Sequence, residues 1–300
     1  MASPLPFVRE RFVRACGVRL HLLEAGPEDG PLVVLLHGFP EFSYGWRHQI
    51  GPLAAAGHRV MVPDQRGYDA SDKPARVGDY RIERLADDVL ALIDAADRRR
   101  ATLVGHDWGA VVAWWLGSHH PERIERLAIL NVPHPLVMRR HLLLNPRQIR
   151  RSFYIFLFQL PWLPERMLRR NGWSLAARAL RGGARRGSFA DDDLARYREA
   201  WSHPGAMRSM IHWYRAAIRG AFRPYGPRRI PVETLLIWGA RDPALGREMV
   251  APSLALCDRA RLALLENASH FVQHDEPARV NELLLRFAAG GLPALNGQAL

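Results

Sequence analysis

Six short, unbroken apolar runs, at residues 32–36, 60–62, 102–104, 127–130, 234–237 and 262–265, constrain this chain more than any other feature. A strand with one solvated face alternates apolar and polar residues. A continuous run requires cover on both faces, as in a parallel sheet between layers of helices. Stretches with helical apolar spacing, at 46–55, 82–95, 110–118 and 277–288, separate the runs, so the pattern predicts an α/β core. Residues 7–25 alternate instead, as two opening strands with Gly17 as the turn between Arg14 and Val18.

This rhythm stops at Pro133 and resumes near Ile230. The residues between have helical spacing, several prolines, a Gly/Arg stretch at 181–187 and no strand pattern, which predicts an all-helical cap inserted into the core. The expected layout is core at 1–132, cap at 133–230 and core again at 231–300, with 290–300 as a frayed tail.

Charge follows the same division. The chain carries +12, yet residues 135–230 hold 20 arginines against 5 acidic residues, a balance of +15 that leaves the remainder at −3. Such a cap attracts anions, whether carboxylates or lipid headgroups. Nucleic acid is not expected as a partner, because no recognition motif accompanies the charge. Residues 182–188 lack the Gly-Lys-Ser/Thr of a phosphate loop, which excludes nucleotide binding there. The longest apolar stretches, 108–118 and 153–164, fall short of the ~20 residues of a membrane span. Arg9, Glu10 and Arg11 interrupt any secretory signal, so a cytoplasmic location is expected. Cys16 and Cys257 are too few for a disulfide framework and are expected to be buried free thiols.

The strongest motif is Gly105-His106-Asp107-Trp108-Gly109, set between a buried strand and a helix. Gly-x-nucleophile-x-Gly in that context is a nucleophile elbow, whose glycines permit the tight turn that lifts the central side chain above the sheet. The central residue is Asp107. A serine attacking saturated carbon leaves an ether that water does not readily cleave, whereas a carboxylate leaves an ester that it can. Ionised at neutral pH, Asp107 needs no base to attack. The elbow also supplies the backbone N–H of Trp108 to an oxyanion, and losing one such donor commonly costs ~3 kcal/mol of barrier.

Taken with His37-Gly38-Phe39-Pro40-Glu41, Asp64-Gln65-Arg66-Gly67-Tyr68, WGARD ending at Asp242, and ASHFVQHDEP containing His270, the elbow resembles the α/β-hydrolase superfamily and, within it, the soluble epoxide hydrolases. The likeness runs from about residue 7 to residue 289. It implies His270 as the base that activates water, Asp242 as the acid that orients it, and the Phe39 N–H as the second oxyanion donor, with Phe39-Pro40 as a cis bond. It also implies Tyr154 and Tyr214 as cap phenols that protonate the leaving oxygen, since an epoxide opens to an alkoxide too basic to leave unaided. A pocket lined by Phe39, Trp108, Phe158 and Trp213 is expected. His274 is expected at the surface and His106 as a packing neighbour of the nucleophile.

The expected function is therefore conversion of epoxides to vicinal diols, with no metal and no organic cofactor, by a monomer or homodimer. The alternative is a haloalkane dehalogenase using the same Asp-His-Asp machinery, with Trp162 or Trp173 as a halide donor. Phe39 stands where some dehalogenases carry asparagine, and Trp108 where fluoroacetate dehalogenases carry arginine. A hydrolase-fold binding protein without turnover is a further class, but such proteins typically lose a triad member and this chain retains all three.

Overall fold

A computed structural model describes residues 7–221, 223–227 and 229–291. Its sheet has eight strands: β1 (Arg9–Ala15), β2 (Val18–Ala25), β3 (Leu32–Leu36), β4 (Arg59–Pro63), β5 (Ala101–His106), β6 (Ile124–Leu130), β7 (Thr234–Gly239) and β8 (Ala260–Leu265). The spatial order is β1-β2-β4-β3-β5-β6-β7-β8. From β4 to β8 all neighbours are parallel, while β1, β2 and β4 join antiparallel. Each of the six apolar runs lies in a parallel strand, and β3, β5 and β7 are buried along their whole length. In β1 an exposed and a buried residue still alternate towards its end, as a strand at the sheet edge permits.

Two apolar cores result, one on each face of the sheet. Helices α1 (Arg47–Ala55), α11 (Val272–Asp275) and α12 (Pro277–Ala288) cover one face through Trp46, Ile50, Val272, Val280 and Phe287. The other is covered by α2 (Ile82–Ala95), α3 (Trp108–His119) and α10 (Val250–Leu254), and its core continues into the insertion.

Between β6 and β7 the described residues form helices and no strand: α4 (Pro135–Leu144), α5 (Pro146–Arg151), α6 (Phe153–Leu157), α7 (Leu163–Gly182), α8 (Asp191–Ser202) and α9 (Ala206–Gly220). Helix α7 breaks at Arg170–Trp173, where Asn171, Gly172 and Trp173 take positive φ. The result is an α/β-hydrolase fold with an inserted helical cap. Tyr197, Trp201 and Trp213 are fully buried and donate, respectively, to Glu41 Oε1 at 2.7 Å, Pro40 O at 2.6 Å and Arg66 O at 3.0 Å, which fastens the cap onto the loops after β3 and β4.

One expectation here needs correction. Cys16 is exposed in the turn between β1 and β2; only Cys257 is buried. Of the expected tail, residues 292–300 lie outside the described residues.

Candidate active site

Asp107 sits in the turn from β5 to α3 with φ 49° and ψ −122°, a left-handed conformation that non-glycine residues rarely adopt. The turn closes because its neighbours are glycines. A Cβ on Gly109 would lie 2.1 Å from the Leu36 carbonyl oxygen, and one on Gly105 would lie 2.6 Å from Ala110 Cα. Gly38 is equally constrained, since its Cβ would meet the Asp107 side chain at 2.2 Å. The loop after β3 thus runs against Asp107, and the Phe39 N–H donates to its Oδ1 at 2.6 Å. The Phe39-Pro40 bond is cis.

His270, on the loop after β8, places Nε2 3.6 Å from Asp107 Oδ2 and Nδ1 2.8 Å from Asp242 Oδ2. Asp242 is itself held firmly. Its Oδ1 accepts from the N–H groups of Ala244 and Leu245 at 2.7 and 2.9 Å, and its Oδ2 also accepts from Asn131 Nδ2 at 2.8 Å. His270 therefore lies between two carboxylates. Burial disfavours its cation, but the charge of Asp242 foremost, with the Asp107 interactions, pushes its pKa up to about 10. Burial would raise the Asp107 carboxyl; hydrogen bonding and charge from His270, the charge of His106 and the Phe39 N–H outweigh it and hold the carboxyl below its ordinary range.

A cavity of about 480 Å³ lies between sheet and cap, and Asp107, Trp108, His270, Tyr154, Trp213 and Tyr214 all stand on its wall. The remaining wall is largely apolar, including Val111, Leu136, Met138 and Ile155. Burial and the charge of Asp107 raise the Tyr154 hydroxyl above the usual phenol value. Burial foremost, with Tyr154 and Asp107, raises the Tyr214 hydroxyl well above it. Both phenols stay protonated at neutral pH. Their rings meet edge to face at 5.8 Å, and Tyr214 also packs edge to face on Trp108 at 4.8 Å.

Phe39 and Phe158 are not on that wall. They pack against Tyr214 at ring distances of 5.3 and 5.0 Å and so support the phenol from outside the cavity. Trp162 and Trp173 are absent from the wall as well: Trp162 is exposed, and Trp173 is buried with its indole N–H donating to Ser202 at 2.8 Å. His274 is not at the surface. It is buried and bonded to Glu41 Oε1 at 2.7 Å through Nε2, because α11 turns its side chain under the cap.

Glu41 and Asn131 are the residues that sequence reasoning missed. Glu41 is a buried carboxylate accepting from Tyr197 and from Gln273 Nε2 at 3.1 Å, with His106 Nδ1 at 3.4 Å. Burial opposes its charge, yet His274 and His106 hold it well below the ordinary glutamate range. His106 in turn reaches the His270 carbonyl at 2.9 Å, so this network backs His270 from behind. Asn131, at φ 53°, follows β6 and also accepts from the Gly239 N–H at 2.8 Å. Its signal was its place: a polar residue at the same end of a parallel strand as Asp107 and Asp242, where such folds build sites.

The Gly/Arg stretch after α7 is a strap. The Gly183 carbonyl accepts from the His270 N–H at 3.1 Å and from Ser269 Oγ at 2.7 Å, while Arg185 N–H and Ser188 Oγ donate to Asp275 Oδ1. Cap and base loop are thereby joined. Away from the cavity, His21, Asp64 and Asp69 bring potential ligand atoms within 4.8 Å of one another, but His21 Nδ1 already bonds to Asp64 at 2.7 Å and no ligand is indicated.

An aspartate elbow, a histidine between two carboxylates and a helical cap over an apolar cavity define the class as a capped α/β hydrolase. The profile of the α/β-hydrolase fold matches residues 31–277. The chain is 45% identical to the AB hydrolase superfamily protein YfhM of Bacillus subtilis over 93% of its own length and 98% of that protein. It is 35% identical to epoxide hydrolase A of Mycobacterium tuberculosis, covering 94% of this chain and 97% of that one. The crystal structure of an epoxide hydrolase from Bacillus megaterium in complex with an inhibitor superposes with a TM-score of 0.86 at 30% identity, over 93% of this chain and all of that one. The chain belongs to the α/β-hydrolase fold family and, within it, to the epoxide hydrolases.

Proposed function

We propose that this protein opens epoxides to vicinal diols in two steps through an ester on Asp107. The observation that carries the reading is a carboxylate nucleophile and two buried phenols on the wall of one cavity. Oδ1 of Asp107 is engaged by the Phe39 N–H, which leaves Oδ2 to attack an epoxide carbon. The C–O bond of the ring breaks as the new one forms, and Tyr154 or Tyr214 gives its proton to the departing oxygen.

Ester formation also changes the base. While Asp107 is ionised, His270 is an imidazolium between two anions and cannot take a proton. Alkylation removes one of those charges, so the imidazole becomes more acidic; its proton passes through solvent to restore the phenol that gave one up, and the neutral ring can activate water. Water then attacks the ester carbonyl carbon, His270 accepts its proton and Asp242 stabilises the cation. The oxyanion forms on Oδ1, facing the Phe39 N–H and, in the same turn, the Trp108 N–H. Collapse breaks the bond from the carbonyl carbon to the former Oδ2, which leaves with the diol and takes the water's second proton, while a solvent oxygen stays on the Asp107 carboxylate.

A halide would need a pair of N–H donors in place of the phenols; Trp108 stands on the wall, but neither Trp162 nor Trp173 reaches the cavity to join it. Epoxide is therefore the favoured electrophile. Parallel turnover assays with styrene oxide, a long-chain fatty epoxide and a bromoalkane test this. Diol formation from either epoxide with no halide release is the expected result; halide release without diol formation would reverse the assignment.

A further inference from the structure

The cap carries a second feature that epoxide opening does not use. Among the described residues, eight of the ten large apolar side chains left exposed fall within residues 143–175. Leu143 and Leu144 at the end of α4 are 70% and 71% exposed, Phe153 on α6 is 64% exposed, and Trp162 in the loop before α7 is 64% exposed. Phe156 and Leu160 add to them at 48% and 45%. These lie on consecutive short helices separated only by Asn145 and Ser152 and on the loop that follows. Soluble proteins rarely leave so many large apolar side chains uncovered in one region unless something docks there.

The same segment is basic. From residue 133 to residue 164 there is no carboxylate at all, and Arg140, Arg147, Arg150 and Arg151 are exposed between the apolar side chains, with Arg166 and Arg169 just beyond. None of these six makes an ion pair among the described residues; of the glutamates nearby, Glu165 is held by Arg215 at 2.7 Å and Glu248 accepts from Asn145 Nδ2 at 3.0 Å. A second copy is a poor occupant, because a two-fold interface would set this arginine-rich face against itself. Nucleic acid offers the charge but no counterpart for leucine, phenylalanine and tryptophan projecting from short helices. An anionic lipid surface satisfies both halves, since headgroups meet the guanidinium groups and the acyl boundary takes the apolar tips.

We propose that the face formed by α4, α5, α6 and the loop before α7 docks reversibly on anionic lipid membranes. No helix among the described residues is long and apolar enough to cross a membrane, so the contact is interfacial. The docking face adjoins the cavity, since Leu136, Met138 and Leu142 of α4 and Tyr154 and Ile155 of α6 line it from the inner side of the same helices.

Co-sedimentation of the full chain with phosphatidylcholine vesicles, with and without about 30% phosphatidylglycerol, tests this directly. Binding should require the anionic lipid and fall steeply as salt rises. Because each arginine near such a surface contributes roughly a fivefold factor in partitioning, changing Arg140, Arg147, Arg150 and Arg151 together to glutamine should lower it more than tenfold. A second variant with Leu143, Leu144, Phe153 and Trp162 changed to serine should also lose binding, with its melting temperature checking that it is folded. Equal binding to neutral and anionic vesicles, or no vesicle binding with self-association seen by sedimentation velocity, would overturn the proposal.

Discussion

At the scale of single residues, the different surroundings of the two oxygens of Asp107 organise the proposed chemistry. Oδ1 is tied to the Phe39 N–H and Oδ2 looks towards His270. Replacing His270 by glutamine should leave alkylation intact and stall hydrolysis, so intact-protein mass after incubation with an epoxide should rise by one substrate; an unchanged mass would count against an ester. Changing Tyr154 or Tyr214 to phenylalanine should slow ring opening by about 10²-fold or more, in keeping with the weight of a general acid, and leave decay of the preformed ester nearly unaltered. Rapid-quench measurement of each step would separate the two. With Asp107 changed to asparagine, His270 loses one of its two anions, and its NMR titration should move down from about 10.

At the scale of elements, the elbow and the cap contacts carry the consequences. A methyl group on Gly109 would drive into the Leu36 carbonyl, so Gly109→Ala should reduce turnover more than 100-fold or prevent folding, which thermal melting and diol assays would distinguish. Tyr197→Phe removes one donor from buried Glu41 and should cost about 1–3 kcal/mol in urea unfolding. Much of this level was legible in advance. All six apolar runs are parallel strands, since burial on both faces leaves its mark on consecutive residues, and the cap is helical, since amphipathic spacing is equally local. Pairings that depend on distant chain were not. His274 reads as an ordinary polar residue until a helix brings it to Glu41, 233 positions away, and Phe39 reads as pocket lining until Tyr214 takes the wall in front of it.

At the scale of the whole molecule, proton linkage ties the site to stability. Folding raises the His270 pKa to about 10, above its unfolded value near ~6.5. A raised pKa means the folded form binds the proton more tightly, so this contribution is complete below about 6.5 and is lost as pH rises through about 10. The stability difference between the wild-type chain and His270→Gln should therefore shrink from pH 7 to pH 10 in urea titrations; a difference that grew over that range would contradict the ion pairing. The charge division of the sequence likewise persists in three dimensions, with a basic cap on a nearly balanced core. The most direct test of the central claim is a single turnover in ¹⁸O-labelled water with enzyme in excess over a soluble epoxide. An ester on Asp107 requires a diol free of label and a gain of ¹⁸O in the peptide containing that residue. Labelled diol with that peptide unlabelled would mean that water attacks the epoxide directly and that no ester forms.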